Sequence, residues 1–142
     1  MRPGLDDKVL TEWNALFVGA LAEAAAATGR SDWLAAAGET ARFLLRQLRR
    51  DDGRWLRSWQ GGRARHLAYA ADYAALVDAF TRLAEASGEA RGISEARATA
   101  DDMLELFWDD DNGGLFTTGK DERSSSPGRR TSSTALCPRP TR

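Results

Sequence analysis

An internal repeat of 59 residues constrains the fold of this chain more than any other feature of its sequence. A shift by that length places Gly29 on Gly88 and the acidic pair 51–52 on 110–111. The same shift superposes two sets of apolar positions: Leu34, Ala37, Ala41, Leu45 and Leu48 on Ile93, Ala96, Ala100, Leu104 and Phe107. We interpret each unit as two helices followed by a turn and a short strand. Units of this kind bury their apolar faces against one another.

The second unit contains the clearest helical pattern, in the stretch 66–84. Its large side chains alternate in steps of four and three residues along one helix face: Tyr69, Tyr73, Leu76, Phe80 and Leu83. We expect this third helix to end near Gly88 and the fourth to begin near Ile93. Residues 54–60 alternate as in a short strand, and the glycine pair 61–62 returns the chain to the third helix.

The first helix is predicted to run from an N-cap at Thr11 to Thr28, with Gly29 ending it in the left-handed conformation. Ser31 is the predicted N-cap of the second helix. The expected buried stripe of the first helix consists of its large residues and the alanines between them: Trp13, Phe17, Ala20, Leu21 and Ala24. The other side of that helix is mostly alanine, which allows a neighbouring helix to approach closely.

Composition and charge exclude several classes of protein. The 142 residues are enough for one domain with a core. Because 20 basic residues balance 21 acidic ones, we expect no nucleic-acid partner. No apolar run approaches the roughly 18 residues of a membrane span, and the N-terminus lacks a signal-peptide core. We therefore expect a cytoplasmic protein without a membrane partner. A single cysteine, Cys137, excludes an intramolecular disulfide.

Three blocks of the sequence resemble a known family: DDKVLTEWNALFVGALAEAA from residue 6, AADYAALVDAF from residue 70 and WDDDNGGLF from residue 108. They are similar to the C-terminal part of the spermatogenesis-associated, thioredoxin-like family (the DUF255 group), over residues 5 to about 122. The resemblance implies an (α/α)6 barrel of the six-hairpin glycosidase type, similar to the barrels of N-acylglucosamine 2-epimerase and cellobiose epimerase. It also implies a thioredoxin-like domain in the full-length parent.

The expected fold class is all-α: a partial (α/α)6 barrel of two helical hairpins with short β-turn insertions, over residues 1–123. Two units are fewer than repeat arrays usually need. We therefore expect exposed apolar edges and a chain that associates in solution.

Residues 124–142 differ in character from the rest of the chain. They are rich in serine, arginine and proline without periodicity, which predicts a disordered tail. We interpret the tail as a frameshift product. Reading residues 125–141 in the neighbouring frame permits IVPRPKDLLDGAVPSAN, which resembles the RPKD-type and PSAN-type blocks with which the family continues. Cys137 would then carry no function.

Asp72 is the candidate catalytic residue, and the adjacent Tyr73 is a candidate substrate-binding residue. A carboxylate near the end of an inner helix can orient a sugar hydroxyl or serve as acid or base, and a tyrosine can stack or hydrogen-bond beside it. The alternative is that Asp72 stabilises the helix N-terminus and Tyr73 belongs to the core.

Trp13, Asn14 and Asp7 are the other candidate substrate-binding residues. They match a family block at the start of an inner helix, and in barrels of this type the loops at one mouth line the pocket. The alternative is that Trp13 is a core anchor and Asn14 a local capping group. An aromatic and cationic wall at Trp55, Arg57 and Trp59 is a further candidate, although such a strand commonly packs over helix ends.

The remaining polar motifs indicate neither a metal nor a cofactor. His66 is the only histidine, whereas epimerases of the related barrels use histidines as acid and base, and one histidine makes a poor metal site. A calcium loop that begins at residue 109 would need ligands where Gly113 and Lys120 stand. We therefore interpret residues 109–114 as a turn. The glycine pairs lack the spacing of a phosphate loop. A solvent-exposed position just before the third helix is expected for His66.

We interpret the chain as a fragment of a carbohydrate-active or carbohydrate-binding helical barrel domain of a thioredoxin-domain-containing protein, inactive alone, with a sugar ligand at the barrel mouth. The alternative is a non-catalytic helical scaffold for protein interaction. A pair of acid and base residues facing the pocket would discriminate the two. The sequence offers only Asp72 for such a pair, so the question of an enzyme stays open.

Overall fold

The computed structural model describes residues 3–124, which form five helices and two small sheets. The helices are α1 (Thr11–Thr28), α2 (Ser31–Gln47), α3 (Ala70–Ser87), α4 (Ala90–Phe107) and the short α5 (Lys120–Ser124). Strands β1 (Val9–Leu10), β2 (Leu56–Gln60) and β3 (Arg63–Leu67) form one antiparallel sheet, and β4 (Trp108–Asp109) pairs with β5 (Gly114–Leu115). The predicted tail beyond residue 124, and with it the frameshift interpretation, lies outside this range.

The two helical hairpins follow the 59-residue repeat closely. Helix α3 begins and ends 59 residues after α1, and α4 begins 59 residues after α2. Gly29 and Gly88 end α1 and α3 in the left-handed conformation, with φ of 71° and 73°. Their N–H groups donate to the carbonyls of Ala25 and Ala84, each at 2.8 Å. The predicted glycine caps and the predicted all-α hairpin architecture are therefore confirmed.

Helices α1 and α3 form the central pair of the structure, and α2 and α4 pack on the outside of their own hairpin partners. The small face of α1 permits the close approach of α3, because a Cβ at Gly19 would lie 3.7 Å from the Ala79 backbone. The largest fully buried side chains between these helices and the strands are Trp55, Tyr73, Phe107, Leu44, Leu48 and Leu76. The core thus lies between the hairpins and under the β2–β3 connection.

The predicted buried stripe of α1 is wrong. Trp13 is 69% exposed and Phe17 is 53% exposed, and Ala20 is exposed as well. Leu21 and Ala24 are only partly buried. The buried face is instead the small-residue one, formed by Thr11, Ala15, Val18, Gly19, Ala22 and Ala25. The reason is that α3 packs against the alanine side, while nothing within residues 3–124 covers the side that carries the large residues.

Helices α2 and α4 share part of a buried face. Ala37 and its repeat partner Ala96 are buried, as are Leu48 and its partner Phe107. Two further pairs differ, because Ile93 is 51% exposed and Leu104 is 53% exposed, whereas Leu34 and Leu45 are partly buried. Leu34 and Leu45 line a groove against Phe80 and Leu83 of α3. The described part of the chain contains no helix that could do the same for α4.

Two predicted N-caps are wrong, and one strand was not predicted. Helix α3 begins at Ala70, and His66 lies before it in an exposed position, as expected, but within strand β3, where its φ is 61°. Thr11 and Ser31 are the first helical residues and not the N-caps, a position that Leu10 and Arg30 hold without a side-chain hydrogen bond. The Thr11 hydroxyl instead donates to the carbonyl of Leu56, which fastens α1 to β2.

Candidate functional site

The two ends of the helical hairpins differ in the length of their connections. At one end, two residues join α1 to α2 and two join α3 to α4. At the other end, the chain passes through residues 48–69 and 108–119, which carry all of the strands except β1. Strand β1 lies at that end too, just before α1. We call this the mouth end. Because binding residues tend to lie on long connections over a rigid frame, the mouth end is where a site is expected.

Asp72 lies at the mouth end, in the first turn of α3, and its side chain is fully buried. One carboxylate oxygen accepts a hydrogen bond from the backbone N–H of Glu12 at 3.1 Å. The other accepts from the backbone N–H of Tyr69 at 2.8 Å and from Nη1 of Arg57 at 3.0 Å. Asp72 therefore joins the start of α1, the start of α3 and strand β2 in one network, and three donors occupy its oxygens.

Arg57 and Tyr69 form the surface above this network. The guanidinium of Arg57 lies over the Tyr69 ring, 4.5 Å from its centroid, in a cation–π contact. The Arg57 side chain is 31% exposed, so it reaches solvent while it pairs with the buried Asp72 carboxylate. Arg57 belonged to the sequence candidates only as part of an aromatic wall. Its pairing with Asp72 depends on the β2–β3 return, which no local pattern reveals.

Tyr73 is fully buried beneath the mouth end. Its hydroxyl accepts hydrogen bonds from Nη1 of Arg54 at 3.1 Å and from the backbone N–H of Trp55 at 3.2 Å. Its ring contacts Phe107 edge-on, with centroids 5.2 Å apart. Because Tyr73 has no exposed surface and its hydroxyl already binds two protein donors, the geometry favours the core alternative.

Arg54 links the same core to helix α5. Its side chain is 6% exposed, and its Nε donates to the Asp121 carboxylate at 2.8 Å. Burial opposes the charge of the guanidinium, but the hydrogen bond to Asp121 and the interaction with Tyr73 leave the pKa of Arg54 raised. The hydrogen bond from Arg54 in turn lowers the pKa of Asp121. This ion pair holds the last described turn of the chain against the mouth end.

Trp13, Asn14 and Asp7 lie around the start of α1. The Trp13 indole is largely in solvent, and the side chain of Asp7 accepts a hydrogen bond from Nε2 of Gln60 at 2.7 Å, which ties the lead-in to β2. The Asn14 amide donates to the carbonyl of Leu10 at 2.8 Å, a local contact across the helix start. The structure thus brings Trp13 and Asp7 to the surface of the mouth end and turns Asn14 toward the backbone.

The acidic loop after α4 forms a turn, as the sequence indicates. Asp109 accepts from the backbone N–H groups of Asp111 and Asn112 and from the Asn112 side-chain amide. The hydrogen bond from that amide lowers the pKa of Asp109.

Within residues 3–124 no group of three or more histidine, cysteine or acidic side chains is placed to hold a metal. In the same range, none of the helices combines the length and apolar character that a membrane crossing needs.

Solved structures of similar shape show the fold class of the chain. D-mannose isomerase matches 84% of this chain and 31% of its own, with a TM-score of 0.75 and 17% identity. The GH76 α-mannanase of Bacteroides thetaiotaomicron covers 82% of this chain and 33% of its own, with a TM-score of 0.73 and 15% identity. Cellobiose 2-epimerase from Spirochaeta thermophila covers 78% of this chain and 28% of its own, with a TM-score of 0.70 and 20% identity. The chain therefore has the fold of part of an (α/α)6 barrel.

Curated relatives define the family within that class. Spermatogenesis-associated protein 20 of Homo sapiens is 33% identical over 124 residues, which cover 81% of this chain and 16% of the relative. The protein of the same name from Mus musculus is 33% identical over 121 residues, 79% of this chain and 15% of the relative. No family model matches the sequence. The chain belongs to the spermatogenesis-associated, thioredoxin-like family, and it spans about a sixth of the length of the curated relatives it matches.

Proposed function

We propose that this chain supplies part of the carbohydrate-binding mouth of a helical barrel domain in a cytoplasmic protein of the DUF255 group, and that it has no turnover by itself. The observation that carries the proposal is the exposed Trp13 indole at the mouth end, where Asp7 is exposed as well. An indole offers an apolar face to the C–H groups of a sugar ring, and a carboxylate accepts from its hydroxyls. The solved neighbours with this fold bear the names of enzymes that act on sugars, which supports a sugar ligand.

The candidates whose polar groups already bind protein atoms take supporting roles in this proposal. Asn14 and Tyr73 hold the start of α1 and the floor of the mouth, because their polar groups already bind protein atoms. We propose that Asp72 is a positioning residue that sets α1, α3 and β2 against each other. An acid or base role would require the Asp72 carboxylate to exchange one of its three donors for a group of the substrate.

A titration of the full 142-residue chain with cellobiose and with D-mannose tests the proposal, followed by saturation-transfer NMR. Trp13→Ala should weaken sugar binding by about threefold to tenfold, the equivalent of about 0.5–1.5 kcal/mol for one aromatic contact. Trp33→Ala is the matched control, because Trp33 lies on α2 at the opposite end of the hairpins, stacked under Arg30. Equal binding by both variants, or no saturation transfer from the wild-type chain, would contradict the proposal.

A non-catalytic scaffold for protein interaction is the second candidate, and the occupied carboxylate of Asp72 favours it. In this case the parent would use the barrel to present its thioredoxin-like domain. Sugar binding without epimerisation or hydrolysis supports the first candidate, whereas the absence of both sugar binding and turnover supports the second. Turnover of either sugar by the chain alone would exclude both candidates and would establish a role in carbohydrate metabolism directly.

A further inference from the structure

Two apolar edges of the structure are open to solvent, one on each side of the paired hairpins. The near edge lies on α1 and is formed by Leu16 and Phe17, which are 54% and 53% exposed, with Ala20 beside them. The far edge lies on α3 and α4 and is formed by the exposed Ala74, Ile93 and Leu104 and the partly buried Val77. Trp13 lies one turn from Phe17, at the rim where the near edge meets the mouth end.

The two hairpins pack on each other along α1 and α3, a contact that we call the seam. This seam shows what covers a near edge. The repeat partners of Leu16, Phe17 and Ala20 on α3 are Ala75, Leu76 and Ala79, and all three are buried. They pack against the small face of α1, where Gly19 meets Ala79. The near edge of α3 is therefore covered by the inner helix of the preceding hairpin.

The same seam shows what covers a far edge. The repeat partners of Ala74 and Val77 are Ala15 and Val18, both fully buried against α3. The partners of Ile93 and Leu104 are Leu34 and Leu45, which line the groove against Phe80 and Leu83. The chain therefore carries both surfaces that a further seam needs: the near edge on one side and the far edge on the other.

One ion pair between the two hairpins can repeat at the open edges. Glu23 of α1 forms an ion pair with Arg82 of α3, and these two residues are themselves separated by the 59-residue repeat. A following hairpin placed on α3 as α3 is placed on α1 would therefore set its Glu23 beside Arg82. A second copy of this chain placed in this way would bring its Glu23 to Arg82, which also pairs with Glu23 and Asp78 of its own chain, and would set its near edge against the far edge.

We propose that copies of this chain associate head to tail, the near edge of one copy packing on the far edge of the next. Because this contact joins two different surfaces, an open chain of copies has one uncovered edge at each end. The edges are all covered when the rotation from each copy to the next closes a ring. Each copy carries two hairpins and covers 28–33% of the solved barrel chains. Three copies therefore supply the six hairpins of a closed (α/α)6 barrel, and the expected species is a trimer.

Sedimentation velocity and light scattering on the full chain at about 100 µM test the trimer. The wild-type chain should have three times the monomer mass. Phe17→Glu blocks the near edge and Leu104→Glu blocks the far edge, and each variant should be a monomer with the helical circular dichroism of the wild type, because both side chains are largely exposed. Arg46→Glu is the control and should remain trimeric, because Arg46 of α2 and its repeat partner Glu105 are both exposed.

Mixing the two blocked variants separates head-to-tail packing from any other association. Phe17→Glu retains a good far edge and Leu104→Glu retains a good near edge, so an equimolar mixture should form a dimer that neither variant forms alone. A monomeric wild-type chain would overturn the proposal, whether or not the variants fold. Aggregation of the wild-type chain that Leu104→Glu does not reduce would also overturn the proposal. The same holds if the mixture of the two variants stays monomeric.

Discussion

Replacement of the buried Asp72 by asparagine should destabilise the fold by more than the loss of a helix cap. The amide keeps the shape but offers one acceptor oxygen to three donors, so it leaves at least one N–H unsatisfied and removes the charge that faces Arg57. Hydrogen bonds to charged groups contribute about 1.5–3 kcal/mol each. Because Arg57 is 31% exposed and stays hydrated, we expect less than the roughly 3–5 kcal/mol of a fully buried pair. The expected loss in the free energy of unfolding is about 2–3 kcal/mol, against about 1 kcal/mol for a cap alone.

Urea unfolding followed by tryptophan fluorescence measures this loss, with all chains at one concentration. Asp78→Asn is the matched control on the same helix, because the Asp78 side chain is 53% exposed and pairs with Arg82 one turn away. Its loss should be about 0.3–0.5 kcal/mol. Equal midpoints for Asp72→Asn and Asp78→Asn would show that the buried network does not hold the mouth end together, and would refute the positioning role of Asp72.

Three further predictions concern acid stability and the glycines. Because the hydrogen bond from Arg54 lowers the pKa of Asp121, the stability from this carboxylate is present above its unfolded-state pKa and is lost as pH falls through the lower folded-state value. Acid unfolding followed by circular dichroism should therefore separate wild type from Asp121→Asn above about pH 4 and bring them together below it. Gly29→Ala and Gly88→Ala should each cost about 1–2 kcal/mol in urea unfolding, because both positions are left-handed and a new Cβ meets no atom within 4 Å; clearly unequal losses would contradict the equivalence of the hairpins. Gly92→Ala should destabilise by about 1–3 kcal/mol, because its Cβ would lie 2.8 Å from a side-chain carbon of α3; the gain usual for alanine in a helix would refute that close packing.

The helical frame was predictable from the sequence because its signals are local. The 59-residue repeat and the glycine caps at Gly29 and Gly88 placed the hairpins, and the family blocks indicated the barrel class. Strand β3 was missed because residues 63–67 are mostly charged or polar and lack the large alternating side chains typical of a strand, so only their pairing with β2 reveals it. Helix α5 carries no periodicity, and its attachment through Arg54 and Asp121 joins residues 67 positions apart.

The buried face of α1 could not be read from side-chain size. A hydrophobic stripe normally marks the side that faces the core, but an inner helix of a barrel has a neighbour on each side. In α1 the large residues face the side without a neighbour in the described range, and the alanines face α3. The network of Asp72 escaped prediction for a related reason, since its donor at Glu12 is 60 residues away.

The different connections at the two ends of the hairpins have a consequence for the order of folding. At the end opposite the mouth end, two-residue connections join the helices. Contacts there lie between residues that are close in the chain, so the loops that must close are small and close quickly. At the mouth end, β1 pairs with β2 through Val9 and Trp59, and the Thr11 hydroxyl bond spans 45 residues. Closing such loops costs chain entropy before any contact compensates it. We expect the hairpins to form first and the mouth end to close last, so its amide hydrogens should exchange with solvent earliest in the native state.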